Sequence, residues 1–220
     1  MAQKLFNQKY DIQIMNLQHA HMDSFRALHA ELLPVQYGDK FYRELMTLPH
    51  RVSRVSLVAV AHYRSTVDDA NGIEDVEDAE DGSNDMRPLR PLLPVIVGVA
   101  TGRVKDVDTC CSHPTGYIMT LGTNKSYRGS GIGGRLLDTL VARLHQLGAI
   151  DISLHCTTTN EAAIGLYVSR GFQLVQKFEN HYRFYEKYHD AYEFVLWGKQ
   201  SCPNLCCYII AWIKRTMRVA

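Results

Sequence analysis

A glycine-rich turn at residues 127–134 constrains the fold of this chain more than any other segment. Its sequence is Tyr-Arg-Gly-Ser-Gly-Ile-Gly-Gly. It follows a strand-like run at residues 117–121 and precedes an apolar stripe typical of a helix, formed by Leu136, Leu137, Leu140, Val141 and Leu144. A turn between a strand and a helix directs free backbone N–H groups towards an anion, and glycines let a phosphate approach the main chain closely. The segment therefore predicts a pyrophosphate-binding turn.

Two other phosphate-binding motifs fit this turn poorly. A Walker loop ends in Gly-Lys-Ser/Thr, whereas Gly134 is followed by Arg135. The dinucleotide-binding motif belongs to an early βαβ unit, and the sequence predicts none around this turn. Arg128, Gly131 and Gly133 instead resemble the R-x-x-G-x-G/A signature of the GNAT acetyltransferases, in which the pyrophosphate belongs to coenzyme A. A helix N-terminus that has glycines and binds nothing is the alternative for the turn taken alone.

The chain resembles the NatE- and NatF-type N-terminal α-amine acetyltransferases of that superfamily over most of its length. Four blocks carry the resemblance, in the family's order and with compatible spacing. They are Leu33-Pro34-Val35-Gln36-Tyr37 with Asp39-Lys40-Phe41-Tyr42, Tyr117-Ile118-Met119-Thr120-Leu121-Gly122, the Arg128 turn, and Leu154-His155-Cys156 followed by Asn160-Glu161-Ala162-Ala163-Ile164 and Tyr167. The resemblance implies an α/β (α+β) GNAT fold, whose mixed, mostly antiparallel central sheet is splayed at its middle strands and flanked by helices. It also implies acetyl-CoA as co-substrate and no metal.

Length and composition bound this expectation. A chain of 220 residues, 46% of them hydrophobic, can bury one substantial core, so we expect one acetyltransferase domain at residues 1–198. The formal net charge of +1 gives no indication of a nucleic-acid partner. The six cysteines have neither disulfide-framework nor zinc-site spacing, and no signal peptide is recognised, so a cytoplasmic location is expected. His19 and His21 lack nearby partner ligands and are expected in an exposed loop or a helix start.

Residues 63–93 differ in composition from the rest of the chain. Within them, residues 66–85 hold nine acidic residues and no lysine or arginine. Few large apolar side chains are present to offset the entropy cost of ordering, which predicts a disordered acidic insertion between two neighbouring strands. Binding of a basic partner is one role for it; a tolerated surface insertion is the simpler interpretation.

Periodicity and turn signals predict the element order β-α-α-β-β-β-α-β-α-β-β. The predicted strands are residues 11–17, 52–62, 94–105, 115–121, 150–156, 172–178 and 188–197. Four helices are predicted. The first ends near Leu32, the second spans 40–48, the third runs from the glycine-rich turn to about 148, and the fourth spans 160–170, with Gly171 as a left-handed stop after it.

Acetyl transfer requires a neutral amine, and a peptide α-amine with a pKa of about 8 loses its proton more easily than a lysine with a pKa of about 10.4. By resemblance, Tyr117 and His155 on adjacent strands form the general-base pair and act through an ordered water. For His155 alone, a core histidine bonded to a backbone carbonyl is the alternative.

The resemblance also implies the acetyl-CoA contacts. The main-chain N–H and C=O groups of Leu121 and Thr123 would pair with the pantetheine amides, and a main-chain N–H there would also polarise the thioester carbonyl. Relatives usually carry apolar residues where this chain has Thr123-Asn124. Asn160 and Tyr167 would contact pantetheine, and the Tyr167 phenol would protonate or hydrogen-bond the departing sulfur; an ordinary helix residue is the alternative for Tyr167. The pyrophosphate would contact Arg128, Gly129, Ser130, Gly131, Ile132 and Gly133.

Two segments are expected to form the substrate-binding walls. Leu33, Pro34, Val35 and Tyr37 form one wall, and a loop with His181 and Tyr182 before the last strand forms the other, with Met119 as a further contact. Such walls admit a flexible N-terminus more easily than a mid-chain lysine. The family usually has Phe where this chain has Leu33, and a tyrosine where it has His181. N-termini that begin with Met followed by a larger residue are the family expectation.

Residues 199–220 form a cysteine-containing amphipathic tail beyond the predicted fold. The apolar run at 205–213 is too short to cross a bilayer, which needs about 20 residues. An interfacial helix with Cys202, Cys206 and Cys207 as candidate acylation sites is one interpretation, and it implies peripheral association with the cytosolic face of an endomembrane. A helix docked on the sheet or on a partner subunit is the other.

The expected activity is acetyl-CoA-dependent acetylation of protein or nascent-chain N-termini by direct transfer in a ternary complex, alone or with other Nat subunits. Acetylation of lysine side chains, histones included, or of small amines is an alternative, because one fold serves all of these reactions. A non-catalytic acetyl-CoA-binding auxiliary subunit of a ribosome-associated complex is a third. The intact pair of Tyr117 and His155 argues against that last role.

Overall fold

Seven strands form one sheet in the part of the chain that the computed structural model describes, which is residues 10–46, 53–63, 94–105 and 113–198. They are β1 (Tyr10–Asn16), β2 (Arg54–Tyr63), β3 (Val95–Lys105), β4 (Thr115–Thr123), β5 (Asp151–Thr157), β6 (Gln173–Phe184) and β7 (Lys187–Leu196). Their order in the sheet is β1-β2-β3-β4-β5-β7-β6. All neighbours are antiparallel except β4 and β5, which are parallel. This arrangement confirms the predicted mixed, mostly antiparallel sheet.

The helices are α1 (Met22–Leu32), α2 (Asp39–Met46), α3 (Ile132–Gln146) and α4 (Glu161–Ser169), with short 3-10 turns at His19–His21 and Lys125–Tyr127. The element order is the predicted one. In the described ranges, no helix has both the length and the apolarity needed to cross a membrane. Within the same ranges, no group of three or more His, Cys, Asp or Glu side chains is arranged to hold a metal ion.

The sheet is covered by helices on both faces, which explains the valine-rich pattern of β2. Leu57, Ala59 and Ala61 belong to the core that packs against α3, whereas Val58 and Val60 belong to the core that packs against α1 and α2. Alternate side chains of a strand project to opposite faces, so a strand between two helical layers is apolar throughout. The predicted stripe on α3 supplies its core face, with Leu136, Leu137, Leu140 and Leu144 fully buried.

The central strands β4 and β5 pair over only three residue pairs. These are Thr115 with Asp151, Gly116 with Ile152, and Tyr117 with Ser153. Beyond Tyr117, β4 continues to Thr123 alongside β3, and β5 continues to Thr157 alongside β7. The two strands therefore part, and this confirms the predicted splay.

The sequence prediction was wrong about the hairpin that ends the described fold. β6 extends to Phe184, so His181 and Tyr182 lie in a strand and not in a loop. The pairing of β6 with β7 is irregular between Phe178 and Tyr182, and Asn180 has a φ of 54° there. A bulge of this kind interrupts the alternation of side chains from which a strand is recognised.

Other predicted boundaries differ by a few residues or lie outside the described ranges. Tyr63 is the last residue of β2, so the strand extends one residue into the predicted acidic insertion. Residues 64–93 and 199–220, and with them the remaining predictions on the insertion and the tail, lie outside the described residues. Gly171 has a φ of 83°, which confirms it as the left-handed stop after α4.

A buried histidine, His29 on α1, makes the fold sensitive to acid. It is fully buried, stacks on Phe25 and Phe41 with ring centroids 5.3 and 5.5 Å apart, and its Nδ1 lies 3.2 Å from the Tyr42 hydroxyl. Burial lowers the pKa of His29 to about 4, from 6.5 for an unburied ring. The unfolded chain therefore binds a proton at higher pH than the folded chain does.

As pH drops from about 7.5 to about 4, we expect this residue to lower the free energy of unfolding by about 2–3 kcal/mol. Above about pH 7.5 it should have no effect, because the histidine is then neutral in both states. Urea denaturation of the wild type and of His29→Gln at several pH values measures this. The variant should lose this part of the pH dependence, because glutamine does not titrate. Parallel pH curves for the two proteins would contradict the prediction.

Candidate active site

An open groove of about 250 Å³ lies where β4 and β5 part. Both strands contribute to it, together with the segment after α1, helix α4 and strand β6. Most of the predicted site residues line it: Leu33, Pro34, Val35, Tyr37, Met119, Leu121, Arg128, His155, Asn160, Tyr167 and Tyr182. The fold thus brings together side chains from widely separated segments.

The remaining predicted residues adjoin the groove without lining it. The Tyr117 hydroxyl hydrogen-bonds His155, and the ring of His181 stacks on the imidazole of His155. Thr123 accepts a hydrogen bond from the Arg128 side chain. The turn residues Gly129, Ser130, Gly131, Ile132 and Gly133 follow Arg128 and lead into α3.

Tyr117 and His155 are in direct contact at the point where the strands separate. The Tyr117 hydroxyl oxygen lies 3.2 Å from Nδ1 of His155, and both side chains are half-buried. Tyr117 is in the last residue pair between β4 and β5, and His155 lies just beyond its pairing partner, Ser153. A phenol and an imidazole in hydrogen-bond contact can pass a proton between a substrate and solvent.

Two rings from β6 hold the imidazole of His155 in place. The ring of His181 stacks on it with centroids 4.6 Å apart and planes within 7° of parallel. Phe178 contacts both imidazoles, at centroid distances of 5.3 Å to His155 and 5.5 Å to His181. These contacts, together with the hydrogen bond from the other side, restrict the orientation of the His155 ring.

Two ionisable residues lie near the pair. The Nζ of Lys105, the last residue of β3, is 4.3 Å from the centroid of the Tyr117 ring, within the range of a cation–π contact. A cation at this position stabilises negative charge that develops on the phenol. Glu193 of β7 is the register partner of His155, so the two side chains project from the same face of the sheet, and Glu193 is buried.

The edge of β4 that faces the groove presents main-chain amides. The backbone N–H of Asn124 donates a hydrogen bond to the Val97 carbonyl of β3, with N and O 2.8 Å apart. Because strand amides alternate in direction, the N–H and C=O groups of Leu121 and Thr123 point away from β3 and into the gap. The Arg128 Nε–H donates to the Thr123 carbonyl at 3.3 Å and links this edge to the glycine-rich turn. An extended ligand with amide groups can pair with such an edge.

The glycine-rich turn forms the start of α3. Gly131 has a φ of 82°, a left-handed conformation that glycine adopts without the cost that a Cβ imposes. The Ser130 hydroxyl donates to the Tyr127 carbonyl and braces the turn at 2.5 Å. The first N–H groups of a helix lack partners within it and carry the positive end of its dipole, which favours an anion. The Ile132 side chain is buried in the core, so only its main chain can contact a ligand.

Helix α4 places Asn160 and Tyr167 in the groove. Asn160 caps the helix, because its Oδ1 accepts a hydrogen bond from the Ala163 N–H at 3.3 Å; its NH₂ group is then the part suited to a ligand. Tyr167 is buried against Phe172 and Phe194, and burial, with Cys156 as a lesser cause, raises its pKa. The phenol therefore keeps its proton at neutral pH and acts as a hydrogen-bond donor.

Several lining residues were missed from the sequence. Cys156 follows His155 in β5 and is buried, and burial raises the pKa of its thiol to about 11, so it is a neutral, unreactive group at pH 7. Phe184 lines the groove on the same strand as Tyr182. The two-residue spacing of Tyr182 and Phe184 places both on one face and would have indicated Phe184 had β6 been extended beyond residue 178.

The chain is similar in sequence to known proteins of one family. Residues 63–172 match the model of the acetyltransferase (GNAT) family. The chain is 26% identical to N-alpha-acetyltransferase 50 of Danio rerio over 164 residues, which cover 74% of this chain and 75% of that protein.

Solved structures show the same fold. The crystal structure of Arabidopsis thaliana NAA60 with a bisubstrate analogue superposes with a TM-score of 0.66 at 19% identity, covering 87% of this chain and 100% of that one. The structure of the same plant protein with acetyl-CoA gives a TM-score of 0.64 at 19% identity, covering 85% and 98%. The family match spans half of this chain and includes β4, the glycine-rich turn and β5. The chain is therefore a member of the GNAT family of acetyltransferases.

Proposed function

We propose that this acetyltransferase transfers the acetyl group of acetyl-CoA to the α-amine of protein N-termini, with Tyr117 and His155 as a water-mediated general-base pair. The observation that carries the proposal is the 3.2 Å contact between the Tyr117 hydroxyl and His155 Nδ1 at the groove where β4 and β5 part. The N-alpha-acetyltransferase relatives and the solved complexes with acetyl-CoA and a bisubstrate analogue support it.

The groove and turn fit acetyl-CoA. The pyrophosphate would lie against the main-chain N–H groups from Gly129 to Gly133, with Arg128 as a nearby cation. The pantetheine arm would pair with the gap-facing amides of Leu121 and Thr123 and contact the Asn160 NH₂ group. When bound, acetyl-CoA supplies an acetyl thioester, so that transfer forms a C–N bond to the amine and breaks the C–S bond.

Side chains of the groove would accept and donate the protons that this transfer requires. Neutral imidazole accepts a proton at physiological pH, so His155, through water and with Tyr117, would take the proton that the α-ammonium must lose. Lys105 at 4.3 Å from the Tyr117 ring stabilises the phenol when it carries negative charge. Tyr167, whose pKa burial raises, would donate a hydrogen bond to the departing sulfur; a phenol is a weaker acid than a thiol, so full protonation by Tyr167 is disfavoured.

The walls of the groove suit the end of a chain with an apolar first residue. Leu33, Pro34 and Val35 lie on one side, and Tyr182 and Phe184 on the other. Burial raises the pKa values of Tyr37 and Tyr182, so both phenols are uncharged at neutral pH and add no charge to the pocket. We therefore propose Met and similar apolar residues as the first position of the substrate.

Two matched peptides test the proposal. Each begins with Met and contains one internal lysine, and one of them has its α-amine blocked. With acetyl-CoA and the purified protein, we expect acetyl incorporation on the α-amine of the free peptide and none on the blocked peptide, as located by tandem mass spectrometry. Incorporation only at lysine in both peptides would indicate the lysine-directed alternative and contradict the proposal.

A further inference from the structure

We propose that His181 is a positioning residue of the general base: of the two stacked rings it takes up the first proton from solvent, and its charge then extends to lower pH the range in which His155 is neutral. This role rests on the proposed function, because it assumes that His155 deprotonates the substrate amine. His181 would act only through His155, and not on the acetyl group.

The geometry of the two rings carries this role. They come from β5 and β6, strands that are separated in the sheet by β7, and yet their centroids are 4.6 Å apart with planes within 7° of parallel. Phe178 contacts both rings and keeps them together. His181 is exposed, whereas His155 is half-buried. A positive charge is better solvated on the exposed ring, so a single proton on the pair favours His181.

Repulsion between the rings limits the pair to one proton over part of the pH range. Two cations at this separation repel each other strongly unless water screens them fully. Coupled groups of this kind take up their protons in two steps, the second at lower pH than the first. Between the two steps, the molecules that carry the proton on His181 keep His155 neutral and able to act as a base.

Other groups near the two rings also affect their protonation, but these groups are the same in the wild type and in a variant changed only at position 181. Lys105, against the ring of Tyr117, disfavours a proton on His155, and buried Glu193, opposite His155 on β7, favours one. The uncharged neighbours are Tyr117 on β4, which hydrogen-bonds His155, Tyr182 on β6, whose ring contacts that of His181, and Tyr37 after α1, which lies near Tyr117.

The test compares wild type with His181→Phe, which keeps a flat ring against His155 but cannot bind a proton. We expect the acidic limb of the kcat/KM profile, normalised to its plateau at high pH, to move up by about half a pH unit or more. The protonation midpoint of His155, followed by NMR of its ring protons, should move in the same direction. A ring that only packs would leave both midpoints at their wild-type values, because Phe packs as well.

His189→Phe is the matched control. His189 lies in the same hairpin and stacks on Phe184 with centroids 3.8 Å apart and planes 7° from parallel, but no ring contact joins it to His155 in the described residues. The substitution His189→Phe should leave the protonation midpoint of His155 unchanged. If His181→Phe fails to fold, His181→Gln removes the same titrating group and should give the same upward shift.

The outcomes separate this role from the proposed function. An unchanged or lowered protonation midpoint of His155 in the His181 variants would overturn the proposed role of His181, whatever the activity of those variants. Absence of any α-amine acetylation by the wild type would overturn the proposed function, and the NMR midpoint would still decide whether the charge of His181 lowers the protonation midpoint of His155.

Discussion

Replacing Tyr117 by Phe or His155 by Asn is expected to lower kcat for α-amine acetylation by roughly 10²–10⁴-fold, the contribution typical of a general base. Phenylalanine keeps the ring that contacts Lys105 but lacks the hydroxyl 3.2 Å from His155 Nδ1. Asparagine keeps polarity at position 155 without a group that accepts a proton at neutral pH. Steady-state kinetics at saturating acetyl-CoA measure the loss, and calorimetry should show that acetyl-CoA still binds.

Two controls distinguish loss of the base from general damage. Tyr188→Phe removes a hydroxyl from an exposed ring of the β6–β7 hairpin, and His145→Asn changes a histidine at the end of α3 that bonds the Ala149 carbonyl at 2.7 Å. Both should retain kcat within a few-fold of the wild type, because neither side chain lines the groove. Activity close to wild type in both Tyr117→Phe and His155→Asn would show that neither residue is the base.

The second large effect concerns the turn. Gly131→Ala is expected to raise the Kd for acetyl-CoA by at least ~10-fold, which corresponds to about 1.4 kcal/mol. Gly131 has a φ of 82°, and an L-residue in this region costs roughly 1–2 kcal/mol. Relaxation of that strain would turn the main-chain N–H groups at the start of α3 away from the pyrophosphate. Calorimetric titration with acetyl-CoA measures the change.

Gly148→Ala is the matched control for the turn. Gly148 follows the other end of α3, has a φ of 95°, and would place a new Cβ in open space. Both variants should therefore lose similar stability from backbone strain, roughly 1–2 kcal/mol each. Only Gly131→Ala should bind acetyl-CoA more weakly. Equal Kd values for the two variants would mean that the turn does not hold the ligand.

Local signals explain which parts of the fold were predictable. The turn and the leucine stripe after it are contiguous in sequence, and α3 does begin at Ile132, directly after Gly131. Tyr117 and His155 were predicted on adjacent strands by resemblance to a family, and they do lie on β4 and β5 in contact. The family's order of strands supplies the long-range information that the residues alone do not contain.

The features that were missed depend on contacts between distant segments. His29 sits on an amphipathic helix, and its burial depends on Phe41 and Tyr42 of the next helix, which no helical pattern on α1 indicates. The stack of His181 on His155 depends on the irregular pairing in β6, which also hid the end of that strand. Substrate preference, the role of the acidic insertion and the location of the tail stay predictions.

Calorimetric titration of the purified protein with acetyl-CoA, and with acetyl-pantetheine that lacks the diphosphate, tests most simply whether the turn and the parted strands hold the acetyl donor. The geometry predicts one acetyl-CoA site per chain and affinity for acetyl-pantetheine that is weaker by at least ~10-fold, because acetyl-pantetheine lacks the diphosphate that the N–H groups of the turn bind, together with the adenosine attached to it. No binding of acetyl-CoA, or equal affinity for both thioesters, would contradict it.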